Sequence, residues 1–203
     1  VTTPSRTKNP AALFTQNALQ VSAVVHAVKD RTGGMEKTME LLTRKSPLDP
    51  RMVSGKEAMP GTRILAAPNL DPDLFQALSE KCRPFPAFQL IRDRLRRFPG
   101  GIDMGVTWAD YGIANTGTLV IASDSEETRL ATMLCEIHVA LLKVSDIRAS
   151  ADDMAGELSA MTARTGSYTA FITGASRTAD IERVLAIGVH GPLELHIILV
   201  EEE

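Results

Sequence analysis

Six short apolar runs constrain the fold of this chain more than any other feature. They lie at residues 64–67, 104–106, 119–122, 138–144, 168–173 and 195–200. Each is continuous rather than alternating, the pattern of strands covered on both faces. Helix signals stand between them. Asp71-Pro72 opens a helix with Leu74, Leu78 and Cys82 on one face. Ser150 with Asp153 makes an acidic variant of the capping box ahead of the stripe Met154, Leu158 and Met161, and Gly166 closes that helix. Strands alternating with helices pair in parallel through right-handed crossovers. The expected fold class from residue 63 is therefore α/β, an open and mostly parallel sheet with helices on both faces.

The preceding segment reads as helical. Asn9 caps a helix, Pro10 suits its first turn, and Phe14, Ala18, Val21, Val25 and Val28 fall on one face until Gly33 and Gly34. A second helix carries Met35, Met39 and Leu42 and stops at Ser46-Pro47. Residues 46–62 hold three prolines and two glycines and read as a linker. The expected organisation is an N-terminal helical extension with linker over 1–62 and an α/β domain over 63–203. His26 is then a packing residue of the first helix, while His138 and His196 begin strands and read as structural.

Composition narrows the function classes. At 44% hydrophobic and 23% charged residues the chain has globular values, which excludes disorder and fibrous repeats. No apolar run approaches the ~18 residues of a membrane span. The opening ten residues are polar, without the apolar stretch of a secretory signal, so a cytoplasmic location is expected. Cys82 and Cys135 form no C-x-x-C pair, and His26, His138, His190 and His196 show no recognised metal spacing. Both cysteines read as buried hydrophobes, and no metal site is expected.

Charge is uneven. Residues 1–100 carry 16 Lys and Arg against 9 Asp and Glu, and residues 101–203 carry 6 against 16. The densest basic part is Arg92, Arg94, Arg96 and Arg97, with Ile91, Leu95 and Phe98 between them at helical spacing. Few aromatics interleave and no nucleic-acid motif is present, so a helix with a solvated basic flank is expected rather than a nucleic-acid surface, with a docking surface for an acidic partner as the alternative.

Open α/β sheets bind ligands beyond the carboxyl ends of their strands, and three loops carry unusual chemistry. Residues 105–118 gather the only Trp, Tyr111, Asp110, three Thr and three Gly. Residues 173–182 read as a strand, a Gly-Ser turn and a helix start, where free N–H groups with Arg177 suit an anion. Residues 188–192 place His190 between Gly and Pro, a setting for acid/base work. The candidate ligand-binding residues are Thr116, Gly117, Thr118, Ser176, Arg177, Thr178 and Asp180. The candidate catalytic residues are Asp110, Glu182 and His190. Each has a structural alternative: strand-forming threonines, a capping Ser176 or Thr178, an Arg177 paired with Asp180 or Glu182, and a turn histidine.

The three loops, in this order, resemble the LUD-domain family, in particular its lactate-utilisation protein C branch. The stretches GVTWADYGIANTGTLVIAS, TGASRTADIE and GVHGPLELHIILV carry the resemblance, with Glu127, Arg129 and His138 between them. Asn115, Cys135 with Glu136, and Ala175 depart from the family pattern. The resemblance implies a fold similar to the sugar-isomerase and coenzyme-A-transferase superfamily. It also implies a place in L-lactate oxidation to pyruvate, and together with the anion-suited Arg177 loop the expected role is an accessory subunit that binds a small anionic ligand or presents a surface to its partners. On this reading the chain has no cofactor of its own, and iron–sulfur clusters belong to separate partner proteins. A stand-alone enzyme acting on a sugar phosphate or acyl-coenzyme A is one alternative, and a non-catalytic interaction protein is another.

Overall fold

The computed structural model describes residues 9–48, 61–98, 101–163, 166, 168–179, 185–187 and 191–202, with backbone alone at 177–179 and 185–187. Its centre is a six-stranded sheet, parallel throughout. The strands are β1 (Ala23–Val28), β2 (Arg63–Ala66), β3 (Phe88–Ile91), β4 (Ile102–Trp108), β7 (Cys135–Lys143) and β12 (Glu194–Val200), in the order β1-β12-β7-β4-β2-β3. A second sheet orders β8 (Ile147–Arg148), β5 (Tyr111–Ile113), β6 (Thr118–Ala122) and β9 (Thr169–Ile172), with β6 antiparallel to both of its neighbours. β10 (Arg177–Ala179) and β11 (Leu185–Ile187) form a short antiparallel pair. The mostly parallel α/β reading holds for the main sheet, but the apolar runs at 119–122 and 168–173 belong to the second one.

Both faces of the main sheet are covered, as continuous apolar runs require. On one face, helices α2 (Arg31–Arg44) and α3 (Pro72–Cys82) bury Met35, Leu42, Leu74 and Leu78 against Met104, Val106, Leu141 and Ile198. On the other, helix α1 (Pro10–Gln20) and the second sheet bury Phe14, Ala18, Leu119 and Ile121 against Ala140, Leu142, Ile197 and Leu199. Helix α4 (Glu126–Leu134) lies against β4, and α5 (Ala155–Thr162) helps cover the far side of the second sheet through Met161.

The segment expected as a helical extension joins the main sheet instead. α1 ends at Gln20, Ser22 takes a left-handed turn (φ 63°), and Ala23–Val28 pairs with β12 along its whole length. The β-branched Val24, Val25 and Val28 favour a strand over the helix their spacing suggested. His26 is thus a strand residue. Gly33 and Gly34 do not stop a helix either. Asp30 caps α2 by accepting from Gly33 N at 2.9 Å, and a Cβ on Gly34 would come within 2.7 Å of Leu141 Cδ2, so this glycine lets α2 sit close to the sheet. Residues 49–60 of the expected linker lie outside the described residues.

The basic cluster also differs from expectation. Arg94 is left-handed (φ 63°), so only a single 3-10 turn forms at Leu95–Arg97, although Leu95 and Phe98 are buried as their spacing implied. Arg92 lies 4.2 Å over the Phe75 ring and donates to Leu70 O at 2.9 Å, while Arg96 pairs with Glu126. Cys82 and Cys135 are free and buried. Burial pushes their thiols up to about 11 and about 12. No helix among the described residues is long and apolar enough to cross a membrane.

Candidate functional site

The carboxyl end of β4, where ligands were expected, is filled. Asn69 Nδ2 donates to Trp108 O and Trp108 N donates to Asn69 Oδ1, both at 2.9 Å, and Arg31 lies 5.0 Å over the indole. A cleft that gathers polar side chains instead lies towards the amino ends of β7 and β12, on the face shared with the second sheet. It has a volume of about 640 Å³, within the usual range for ligand sites. Its walls come from α4 (Arg129, Thr132, Met133), β7 (His138), the edge strand β9 with its flanks (Tyr168 and Ala170 to Ser176), and Gly191, Pro192 and Leu195.

Close backbone approach builds this cleft. A Cβ on Gly105 would stand 2.2 Å from Ala131 O, so only glycine lets α4 rest directly on β4. Gly105 is the register partner of His138, and α4 runs into β7 without a loop. This packing sets Arg129 and Thr132 beside the strand that carries His138. On the opposite wall, Gly174 is left-handed (φ 80°), and a Cβ there would meet Val21 O at 2.2 Å. The turn after β9 is thereby held against the end of α1.

His138 is the most informative residue of the cleft. It is completely buried, and its Nε2 lies 2.8 Å from Thr107 Oγ1. Its Nδ1 has no partner among the described residues. Burial pushes the imidazole down to about 4, so the ring is neutral at physiological pH. A buried ring nitrogen without a partner costs about 1–3 kcal/mol, and such atoms call for a specific explanation. Arg129 supplies the positive charge. Its Nη1 donates to Ser123 O and, at 3.4 Å, to Asp124 O, and its guanidinium lies 5.6 Å over the Tyr168 ring. Among the described residues, no carboxylate lies in ion-pair range of it.

The three loops converge only in part. Ser176 N donates to Pro192 O at 2.9 Å, so the second and third loops meet at the cleft. That bond occupies one N–H assigned to an anion. The helix start expected after Ser176 is absent, because Arg177–Ala179 forms β10 and pairs with β11. The first loop reaches the cleft through a chain of hydroxyls. Thr116 Oγ1 and Thr118 Oγ1 are 2.7 Å apart, as are Thr118 Oγ1 and Thr173 Oγ1, and Thr173 lines the cleft. Gly117 packs against α1, where a Cβ would stand 2.3 Å from Ala18 N. Asp110 Oδ2 accepts from Ala122 N at 2.7 Å and so holds the start of β5 to the end of β6; it is not among the residues lining the cleft. The side chains of Arg177 and Thr178, and Asp180, Glu182 and His190 entirely, lie outside the described residues.

Reasoning from the sequence passed over Arg129 and His138 as site residues. The available signal was a lone histidine within the apolar stretch from Ile137 to Leu142 of β7. Among the described residues, no group of three or more His, Cys, Asp or Glu is arranged to hold a metal ion.

The architecture is thus a parallel α/β sheet with a cleft on one face, lined by His138, Arg129 and Thr173 among apolar neighbours. The chain belongs to the LUD domain family, whose model matches residues 11–200. It is similar to lactate utilization protein C of Halalkalibacterium halodurans, 36% identical over 103 residues, 49% of this chain and 45% of that protein. It is also similar to lactate utilization protein C of Shouchella clausii, at 33% identity over 50% of this chain and 45% of that one. The matched stretch thus spans about half of this chain and less than half of these curated relatives. In fold it resembles the crystal structure of a DUF162 family protein from Deinococcus radiodurans, with a TM-score of 0.57 and 17% identity over 94% of this chain and 96% of that one.

Proposed function

We propose that this chain serves lactate utilisation as an accessory component that binds a small 2-hydroxy or 2-oxo acid in the His138 cleft. Separate iron–sulfur proteins would be its partners in oxidising L-lactate to pyruvate. The observation that carries the reading is the pairing, in one cleft, of a neutral buried imidazole with no partner for Nδ1 among the described residues and a guanidinium whose described hydrogen bonds go to backbone carbonyls. Such an acid presents what these groups need. Its carboxylate suits the guanidinium, whose described bonds use Nη1 alone. Its hydroxyl or keto oxygen suits Nδ1, as acceptor or donor according to the tautomer. Thr132, Thr173 and Ser176 line the same space with further hydroxyls. The names of the curated relatives support the pathway.

The test is ligand-dependent thermal stabilisation with L-lactate, pyruvate, a sugar phosphate and inorganic phosphate. A ligand at 100 times its dissociation constant adds about 2.7 kcal/mol of apparent stability. Lactate or pyruvate is expected to stabilise the chain, and Arg129→Met and His138→Gln are each expected to weaken that effect at least tenfold. Equal stabilisation of both variants and the parent would overturn the assignment.

A further inference from the structure

The cleft is too large and too apolar at its mouth for a three-carbon acid alone. Its 640 Å³ corresponds to about twenty waters at ~30 Å³ each, of which a molecule of lactate size replaces about four. Its rim is also unusual. Among the described residues seven large apolar side chains are exposed, and three of them surround this one cleft: Met133 (58%), Tyr168 (55%) and Phe171 (52%). Clustered exposed apolar surface marks binding surface more often than chance scatter does. Two of the three are aromatic, and Arg129 already lies over the Tyr168 ring, so charge and flat apolar surface meet at one point.

Resting on the anion reading above, we infer that the cleft takes an anion carrying a flat ring. The anionic head meets Arg129 and His138 in the depth, and the ring lies against Tyr168, Phe171 and Met133 at the mouth. Aromatic rings gain from offset or edge contacts beyond simple burial, and a guanidinium adds attraction to a ring face. Two sources share this chemistry: aromatic 2-hydroxy acids and nucleoside monophosphates.

The experiment compares matched pairs by calorimetric titration of the full chain: L-lactate against 3-phenyllactate, and inorganic phosphate against AMP. Within a pair the head is held constant and the ring is added. A ring-bearing member that binds at least tenfold tighter than its partner supports the inference, and the pair showing the gain identifies the head. A Met133→Ser, Phe171→Ser double variant, altered only at exposed positions and leaving the Arg129–Tyr168 contact in place, is expected to lose most of that gain while lactate binding stays within twofold. If lactate binds and phenyllactate binds no better, with AMP no better than phosphate, the ring inference is overturned and the acid site stands. If none of the four binds, both fall.

Discussion

His138 and His196 sit in neighbouring parallel strands, one position apart in register, and point to opposite faces of the main sheet. Both are buried, at 0% and 7% exposure. They differ in what their nitrogens meet. His196 is satisfied on both sides, with Nδ1 3.0 Å from His26 Nε2 and Nε2 2.9 Å from Glu194 Oε2, and its ring is parallel to that of His26. His138 has Thr107 on one side and no described partner on the other. A histidine whose bonds close within the protein fixes strands to one another. One that lines a cleft with a buried, unpaired nitrogen carries a cost, which the ligand proposed above would offset.

The largest expected effect follows from the burial of His138. An unfolded chain protonates this residue near 6.5, whereas the folded state holds it down to about 4. Between those values the unfolded state binds a proton that the folded state refuses, so stability falls as pH drops through this window. The loss is about 3 kcal/mol in all. Urea unfolding of the parent and of His138→Gln at pH 7 and pH 4.5 isolates it, because the parent should lose more stability than the variant. Identical acid losses would mean that the imidazole is not held neutral. His26 is displaced in the same direction, by burial first and then by His196 and Lys37, against Glu40. It is only partly buried, so its contribution is smaller.

Leucine scanning sharpens the contrast at constant pH. His196→Leu strips partners from both His26 and Glu194 and should cost about 2 kcal/mol. His138→Leu loses the Thr107 bond but also removes an unsatisfied nitrogen from an apolar face, so its net cost should be about 1 kcal/mol or less. Chemical denaturation at pH 7.5 checks the order. A more damaging His138→Leu would show that Nδ1 has a partner in the free protein. Thr118→Val comes next. It takes the middle hydroxyl from the Thr116–Thr118–Thr173 chain at a 5% exposed position and should cost about 1 kcal/mol in the same assay.

The same contrast explains what the sequence disclosed. Strands buried on both faces announce themselves by unbroken apolar runs, so β2, β4, β7 and β12 were legible, as was α3 from Asp71-Pro72. β1 was not, because its valines continue the spacing of α1, and only pairing with β12, some 170 residues away, decides between helix and strand. The strand-forming alternative for the first loop's threonines fits Thr118, which opens β6, while the second sheet that β5 and β6 join was hidden because its pairings with β8 and β9 are long-range. Candidate residues were sought in loops rich in Gly, Ser and Thr. That choice reached Ser176 at the cleft wall but missed Arg129 and His138, which lie on a helix and a strand. Their significance depends on burial and on which partners are absent, and neither property is written in local sequence.

The smallest effect is expected where satisfaction and exposure coincide. Arg96 donates from both Nε and Nη2 to one oxygen, Glu126 Oε1, and each residue raises the tendency of the other to stay charged: hydrogen bonding to Glu126 holds Arg96 up, and bonding to Arg96 holds Glu126 down. Their side chains are nevertheless 75% and 44% exposed. Water and salt compete for such a pair as readily as its members do for each other. Arg96→Gln should therefore leave the denaturation midpoint unchanged within error, at low and at physiological salt. A clear drop that vanished in high salt would show that this exposed pair contributes as the buried histidine contacts do. Counting partners would then outweigh burial, and the distinction drawn between His196 and His138 would lose its basis.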